Sequence, residues 1–354
     1  MSATTIAIVA GYWSTNIGNS FFQLGAEYVL KRAFPEARVV LVADQPGYYN
    51  VRQGNPRNAL IPLEYMPIDY LVILGPFLRP EYEVIWSSTI EKLLARNVRI
   101  MVLSAGMMDY SAELIEKSRH WLAKIRPYVL TTRDEETYRN FADLAEFAFN
   151  GIDVAFFLSD VYEPMPLEMK EYVVFNFDKI PEPYVNVSDN QEHTGKADYE
   201  FQFKNKVWQV RFPSLRTLLS RRSRIFSFAE PLLWRGHPYP KQIDGMRIIR
   251  TDHRFNPLIL RKAYRGPNSF VLDIPWPYLD IYSQATCTFS NRVHACVAAL
   301  AYGKPAMLFS KTPRARLLQR VGVNEITQRP SLVSSERLQE EKRALLDFLS
   351  RIPL

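Results

Sequence analysis

Cysteine is nearly missing from this chain: Cys287 and Cys296 are the two in 354 residues, at a spacing that matches no zinc or redox pattern. Both sit among apolar or small residues, so buried thiols in a reducing compartment are expected, not a disulfide. Long apolar runs are missing too. No segment approaches the roughly 20 apolar residues that span a bilayer. The start, MSATTIAIVAGYW, has no basic stretch ahead of its short apolar run, so no signal peptide is expected. The glycine signatures of nucleotide binding fail as well. GYWSTNIGNSFF, residues 11–22, is neither G-x-G-x-x-G nor a P-loop, because no Gly-Lys-Ser/Thr follows; this sets aside an NAD enzyme. Low-complexity segments and repeats at solenoid periods are also lacking.

What is present is an ordinary globular composition, 47% hydrophobic and 23% charged, at a length that favours two domains. The net charge of +7 is concentrated in runs. LRTLLSRRSR supplies Arg216, Arg221, Arg222 and Arg224, and KTPRARLLQR supplies more. Such a surface favours anionic partners: phosphorylated substrates, acidic glycans, or headgroups at a membrane face. No nucleic-acid-binding motif accompanies the charge, so nucleic acid is not an expected partner. The expected compartment is the cytoplasm, extending to the inner face of the membrane if the basic runs meet anionic headgroups.

Along the chain, short β-branched runs alternate with helical patterns. TIAIVAG reads as a buried strand, and a helix pattern starts at Ser20. The strand-like ARVVLVAD, YLVILGP, VRIMVLSAG and PYVLTTRD follow, with helices such as SAELIEKSRHWLAKI between the later ones. Continuous apolar strands alternating with helices mean a parallel α/β sheet covered on both faces. The first unit closes near GIDVAFFL, and YEPMPLEMKE (162–171) is the linker candidate. A second cycle opens with EYVVFNF and ends with TCTFS, a helix from about 291, and AMLFS. Residues 185–245 have weak periodicity and no firm assignment. The expected division is 1–165, 166–334 and a C-terminal helix, 335–354, capped by Ser335. Two such units place a cleft between the carboxyl ends of their sheets, where ligands bind.

One stretch carries most of the chemistry: SNRVHACVAALAYGKP, residues 290–305. Val293, Cys296, Val297, Leu300 and Ala301 form the buried stripe of a helix packed on a sheet. Ser290 or Asn291 is the expected N-cap, with Gly303 and Pro305 ending the helix. Arg292 and His294 then lie in the first turn, at a strand's carboxyl end. That position already offers free backbone N–H groups and the positive end of the helix dipole. A guanidinium there is unfavourable unless an anion binds, and the dipole disfavours a protonated imidazole. In VLTTRDEETY, Arg133 occupies the matching place in the first unit, with Asp134 as cap. Two guanidiniums facing one crevice suit a substrate with two anionic groups, because Arg binds carboxylate or phosphate through two N–H groups. Asn16, Gly18 and Asn19 can present amides to an oxygen-rich ligand, or simply make a tight turn and cap.

Together these stretches resemble the polysaccharide pyruvyltransferase family. The resemblance rests on GYWSTNIGNSFFQLGA (its Gly-x-x-Asn-x-Gly-Asp loop), VRIMVLSAGM, VLTTRDEETY, GIDVAF and SNRVHACVAALAYGKPAMLFS (its Ser-x-Arg-x-His helix). It is weak across 185–285. It implies two Rossmann-like α/β domains facing a cleft, as in GT-B glycosyltransferases. It also implies transfer of a pyruvyl group from phosphoenolpyruvate onto a sugar of a surface polysaccharide or its lipid-linked precursor. Carried over, Arg133 and Arg292 would hold the donor's phosphate and carboxylate, helped by the Val293 N–H. His294 would protonate the donor's methylene carbon. Ser290, Asn16, Gly18 and Asn19 would line the substrate site, with neither metal nor cofactor needed beyond the donor itself. Two departures stand out: Asn19 replaces an Asp and so cannot accept a proton, and Gly75-Pro76 replaces a run of glycines.

The rival reading is a sialyltransferase-like GT-B enzyme using a nucleotide sugar, with Asp44 on the ribose and His294 as base. A non-catalytic anion- or glycan-binding protein is the third. Trp208, Trp234, His237 and Trp276 can stack on sugar rings or belong to the core.

Overall fold

The computed structural model describes residues 3–10, 16–43, 60–75, 77–178, 180–189, 197–212, 239–254 and 262–354. The Arg216–Arg224 run, Gly11, Asp44, Pro76, Trp234 and His237 lie outside the described residues.

The first half builds a six-stranded parallel sheet in the order β2-β1-β3-β4-β5-β6. Its strands are β1 (Thr5–Ala10), β2 (Arg38–Ala43), β3 (Tyr70–Leu74), β4 (Arg99–Ala105), β5 (Val129–Thr132) and β6 (Phe147–Asn150). Alternate residues of these apolar strands enter different cores, as the period of two dictates. Ala7, Val9, Leu71, Ile73 and Val102 pack with Trp86, Leu93, Trp121 and Ile125, from α2 (Pro80–Ala95) and α3 (Ala112–Ile125). Ile6, Ile8, Val72, Leu74 and Leu103 face the other way, onto Phe21, Leu24, Val29 and Leu30 of α1 (Ile17–Ala33). The helix therefore starts three residues before the expected Ser20. Two more helical segments follow in this half, α4 (Glu135–Phe141) and the short α5 (Leu158–Val161).

The second half holds another sheet, ordered β11-β12-β7-β14-β15 with β13 pairing β12. It comprises β7 (Tyr172–Asn176), β11 (Gln242–Ile243), β12 (Met246–Thr251), β13 (Ser269–Phe270), β14 (Cys287–Ser290) and β15 (Ala306–Leu308). All its pairs are parallel except the β11–β12 hairpin. Part of the stretch left unassigned by periodicity is an antiparallel sheet, β8-β10-β9, from β8 (Tyr184–Ser188), β9 (Tyr199–Phe203) and β10 (Lys206–Arg211). Its Phe201, Trp208 and Val210 pack on Phe175, Phe289 and Phe309. Trp208 is thus a core residue, 1% exposed, and is not placed to stack on a sugar. Trp276 is partly buried against Tyr162, with ring centroids 5.2 Å apart.

On its inner side the second sheet carries α6 (Trp276–Gln284) and α7 (Val293–Ala301). The apolar stripe of α7 joins the same core as α1 and the inner face of the first sheet. The segment Val154–Phe157, a 3-10 turn, lies between α1 and α7. Contact there is close: a Cβ on Gly25 would sit 1.9 Å from the Val154 carbonyl oxygen. After α8 (Leu317–Arg320), α9 (Ser335–Ser350) returns to pack on α1. Ser334, one residue before the expected cap, accepts the Arg337 N–H. The buried Lys342 of α9 donates to Asp160 at 2.5 Å. Both sheets thereby point their carboxyl ends toward one crevice, lined by the residues after β5, β6, β14 and β15. Among the described residues, no helix is long and apolar enough to cross a membrane.

Candidate active site

The site begins where β14 stops. Ser290 is the last strand residue, and its buried Oγ accepts the Arg292 N–H at 2.8 Å while donating to Asn176 Oδ1 at 3.0 Å. This brace delays the helix, so Arg292, not Ser290 or Asn291, takes the N-cap position with extended backbone. Val293 is the first helical residue, with an N–H among those the helix itself leaves unused. Arg292 turns its Nε onto both oxygens of Asp178, at 2.6 and 2.8 Å. Burial alone would raise Asp178, but the Arg292 charge and hydrogen bond, with His253 and Arg254, bring it down to about 2.

His294, in the first turn of α7, is 5% exposed. Its Nε2 lies 3.3 Å from Asp153 Oδ2, and its Nδ1 lies 3.4 Å from an Nη of Arg314. A guanidinium can only donate, so Nδ1 accepts and Nε2 carries the proton toward Asp153. Burial pushes the imidazole below its ordinary value; Asp153 opposes this, and the Arg314 and Arg133 charges reinforce it.

Arg133 follows β5 and donates from Nη1 to the same Asp153 Oδ2, at 2.8 Å. Its neighbour Asp134 does not pair with it but caps α4, accepting the Thr137 N–H. Room for the guanidinium comes from Gly106, where a Cβ would lie 2.4 Å from Arg133 Nε. Asp153 is wholly buried and also accepts the Ala155 N–H. Burial would raise its carboxyl, but His294, Arg133 and that N–H outweigh it and hold Asp153 well below the usual carboxylate range. Arg133 and His294, far apart in sequence, therefore meet on one carboxylate oxygen.

The third guanidinium was hidden in a basic run. Arg314 sits in the turn Pro313–Arg316 that follows β15. Burial, then the charges of Arg133 and Arg292, lower it to about 9. Two residues on, Arg316 pairs with Glu136 and lies 4.3 Å over the Tyr110 ring, both in the first half. This turn thus spans the crevice.

The start of α1 also reaches this site. Asn16 Nδ2 donates to Asn19 Oδ1 at 2.7 Å, so these two amides hold each other at the start of α1. Gly18 faces inward: a Cβ there would lie 3.3 Å from His253 Nδ1 and 3.5 Å from the His294 Cβ. His253, after β12, is 1% exposed. Burial, helped by the Arg292 charge and opposed by Asp178, lowers it to about 3. Both imidazoles are therefore neutral near pH 7.

Three guanidiniums thus face two carboxylates, Asp153 and Asp178. Arg133 Nη2, Arg292 Nη2 and Arg314 Nε are buried with no hydrogen-bond partner among the described residues. Buried donors of this kind are almost always satisfied, and charged ones most of all. Clustered here on three guanidiniums, they suit an anion beside a buried His–Asp pair. Cys287 and Cys296 are free and buried, and burial raises both thiols. Among the described residues no group of three or more His, Cys, Asp or Glu is placed to hold a metal ion. Arg133, Arg292 and His294 were legible as strand-end and helix-start residues. Asp153, Asp178, His253 and Arg314 were not singled out, although Asp153 stands in GIDVAF and Arg314 follows a strand end.

A family model described as polysaccharide pyruvyl transferase matches residues 16–311. No curated protein matches the chain in sequence. Among solved structures it resembles the UDP-GlcNAc 2-epimerase of Neisseria meningitidis bound to UDP-GlcNAc. The two are 11% identical with a TM-score of 0.50, over 99% of this chain and 95% of that one. A second UDP-N-acetylglucosamine 2-epimerase gives 8% identity and a TM-score of 0.52, over 99% and 91%. At such identities the likeness is one of fold, and the fold is GT-B-like.

Proposed function

The chain belongs to the polysaccharide pyruvyl transferase family, and from that premise we propose that it moves the pyruvyl group of phosphoenolpyruvate onto a sugar of a polysaccharide or its lipid-linked precursor, forming a ketal. The observation that carries this reading is the set of three guanidinium N–H groups, without a partner among the described residues, around the buried His294–Asp153 pair. The donor is a small anion with a phosphate and a carboxylate, and that is the ligand such a set satisfies.

In the reaction, His294 gives a proton to the donor's methylene carbon, making the methyl group and an oxocarbenium-like centre at C2. A sugar hydroxyl adds to that centre and loses its proton. Phosphate leaves, and a second hydroxyl closes the ketal. Diol plus phosphoenolpyruvate gives ketal plus inorganic phosphate, with no change of oxidation state overall. His294 must first become charged. Asp153 already receives Nε2–H, so Nδ1 is the nitrogen left to take and deliver the mobile proton. Arg314 opposes a proton there in the free protein. A bound anion draws the Arg314 guanidinium to itself and adds negative charge beside the ring, and both effects raise the imidazole's proton affinity. The guanidiniums then stabilise the departing phosphate.

The test is phosphate release from phosphoenolpyruvate in the presence of candidate sugars. The wild-type chain is expected to release it. His294→Ala is expected to lose about 10²- to 10⁴-fold in rate, the usual worth of a general acid. Arg292→Ala is expected to lose turnover while keeping its fold by circular dichroism. Turnover of a nucleotide sugar in place of phosphoenolpyruvate would instead establish a glycosyltransferase.

A further inference from the structure

His253 plays no part in the proposed proton transfer, yet it is buried beside Gly18 and tightly enclosed. Its ring is caged edge-on by Phe21, Tyr278 and Tyr282, at centroid distances of 5.5, 5.6 and 5.8 Å. Its carbonyl accepts the first N–H of α1, from Ile17, at 2.9 Å. Nε2 points away from the crevice to Tyr282 Oη, 2.6 Å away. Nδ1 points toward Gly18, which has no side chain to fill the intervening space.

The tautomer follows from a buried chain of hydrogen bonds. Asn176 Nδ2 lies 2.9 Å from the Thr251 carbonyl, which can only accept, so the orientation of this amide is fixed. The same Nδ2 also donates to Thr251 Oγ1 at 3.1 Å. The Thr251 hydroxyl proton is then free for Tyr282 Oη, 2.9 Å away, and the Tyr282 proton for His253 Nε2. Running the chain the other way would leave the Thr251 hydroxyl proton buried with no acceptor, which is unfavourable. Nε2 is therefore the acceptor, and Nδ1 carries the hydrogen on the crevice side. Burial keeps the ring neutral, so this N–H persists across the working pH range.

The two sides of the crevice differ in charge. Arg133 is paired with Asp153, whose single charge is also the one carboxylate acting on Arg314. Arg292 is already paired with both oxygens of Asp178, which also faces His253. The first side suits a dianion and the second a monoanion. We propose that His253 is a further ligand-binding residue, whose Nδ1–H, set by the Asn176–Thr251–Tyr282 relay, takes the donor's carboxylate beside Arg292 while the phosphate lies against Arg133 and Arg314. This rests on the pyruvyl-transfer reading.

The test uses the full chain, with calorimetric binding of phosphoenolpyruvate and, separately, of inorganic phosphate. Tyr282→Phe removes one hydroxyl and frees Nε2 to hold the ring proton, turning a lone pair toward the carboxylate. Affinity for phosphoenolpyruvate is expected to fall about tenfold, the worth of one hydrogen bond to a charged group, while phosphate affinity stays unchanged. Nitrogen NMR of the ring is expected to show the proton on Nδ1 in the wild type and on Nε2 in Tyr282→Phe. A wild-type ring protonated on Nε2, unchanged phosphoenolpyruvate affinity in the variant, or an equal loss of phosphate affinity would each overturn the role of His253 alone. A wild-type chain that binds phosphate but not phosphoenolpyruvate would overturn the pyruvyl-transfer reading, and this inference with it.

Discussion

Asp153 is the residue on which the site turns. One oxygen serves Arg133 at 2.8 Å and His294 at 3.3 Å, and the other serves the backbone at Ala155. Asp153→Asn keeps the shape but leaves a buried guanidinium without its counter-charge, a change that typically costs about 3–5 kcal/mol. Chemical denaturation is expected to show a loss of that order, with turnover of phosphoenolpyruvate falling alongside it. A variant as stable as the parent would mean that Arg133 has another anion. The sequence made Arg133, Arg292 and His294 visible because each occupies a place where free N–H groups and the helix dipole make a cation unwelcome without a ligand. It did not expose their partners. Asp153 and His294 are separated by 141 residues, and nothing in local spacing brings such a pair together. Arg314 stood in the basic run KTPRARLLQR with nothing but its position after β15 to set it apart.

At the scale of elements, most parallel strands of both sheets were legible as short, continuously apolar β-branched runs bounded by turn residues, whereas β6, short and only partly buried, was not. Helix starts were less so. Arg292 caps α7 because Ser290 spends its hydroxyl on Asn176 and the Arg292 N–H, a long-range bond that a cap-residue rule does not see. The β8-β10-β9 sheet escaped for a different reason. Lys206–Arg211 has four consecutive buried residues inside it, so it lacks the alternation expected of a strand in a half-exposed antiparallel sheet. The crossing of α1 over residues 154–157 makes the plainest element-scale prediction. In Gly25→Ala, the new methyl would overlap the Val154 carbonyl, which forces the helix outward. A loss of about 1–3 kcal/mol, as for other overpacked contacts, is expected in urea denaturation. Because residues 154–157 adjoin Asp153, donor affinity measured by calorimetry should weaken in the same variant.

For the molecule as a whole, two neutral buried imidazoles set how stability follows pH. In the unfolded chain both titrate near the ordinary 6.5, whereas burial holds His294 below that value and His253 at about 3 when folded. As pH falls below about 6.5, the unfolded chain takes up protons that the folded one refuses, so stability declines. Glu182, raised by burial, works in the opposite direction but is a single group. Melting temperature is therefore expected to drop between pH 7 and pH 5. The drop should be smaller in His294→Asn, and smaller again with bound phosphoenolpyruvate, whose charge favours a protonated His294. A flat profile would mean that the imidazoles are not buried as described.

The turn that brings Arg314 into the crevice is fastened at its far end by Arg316 on Glu136 and Tyr110, and that fastening lies at the surface, with more than a third of each charged side chain open to solvent. Exposed ion pairs fade as ionic strength rises, while enclosed ones such as Arg133–Asp153 hardly notice. If the pyruvyl-transfer reading holds, donor affinity would accordingly follow the electrolyte through a bond well outside the buried His294–Asp153 pair, because a brine that leaves the interior untouched would still loosen the turn that carries Arg314.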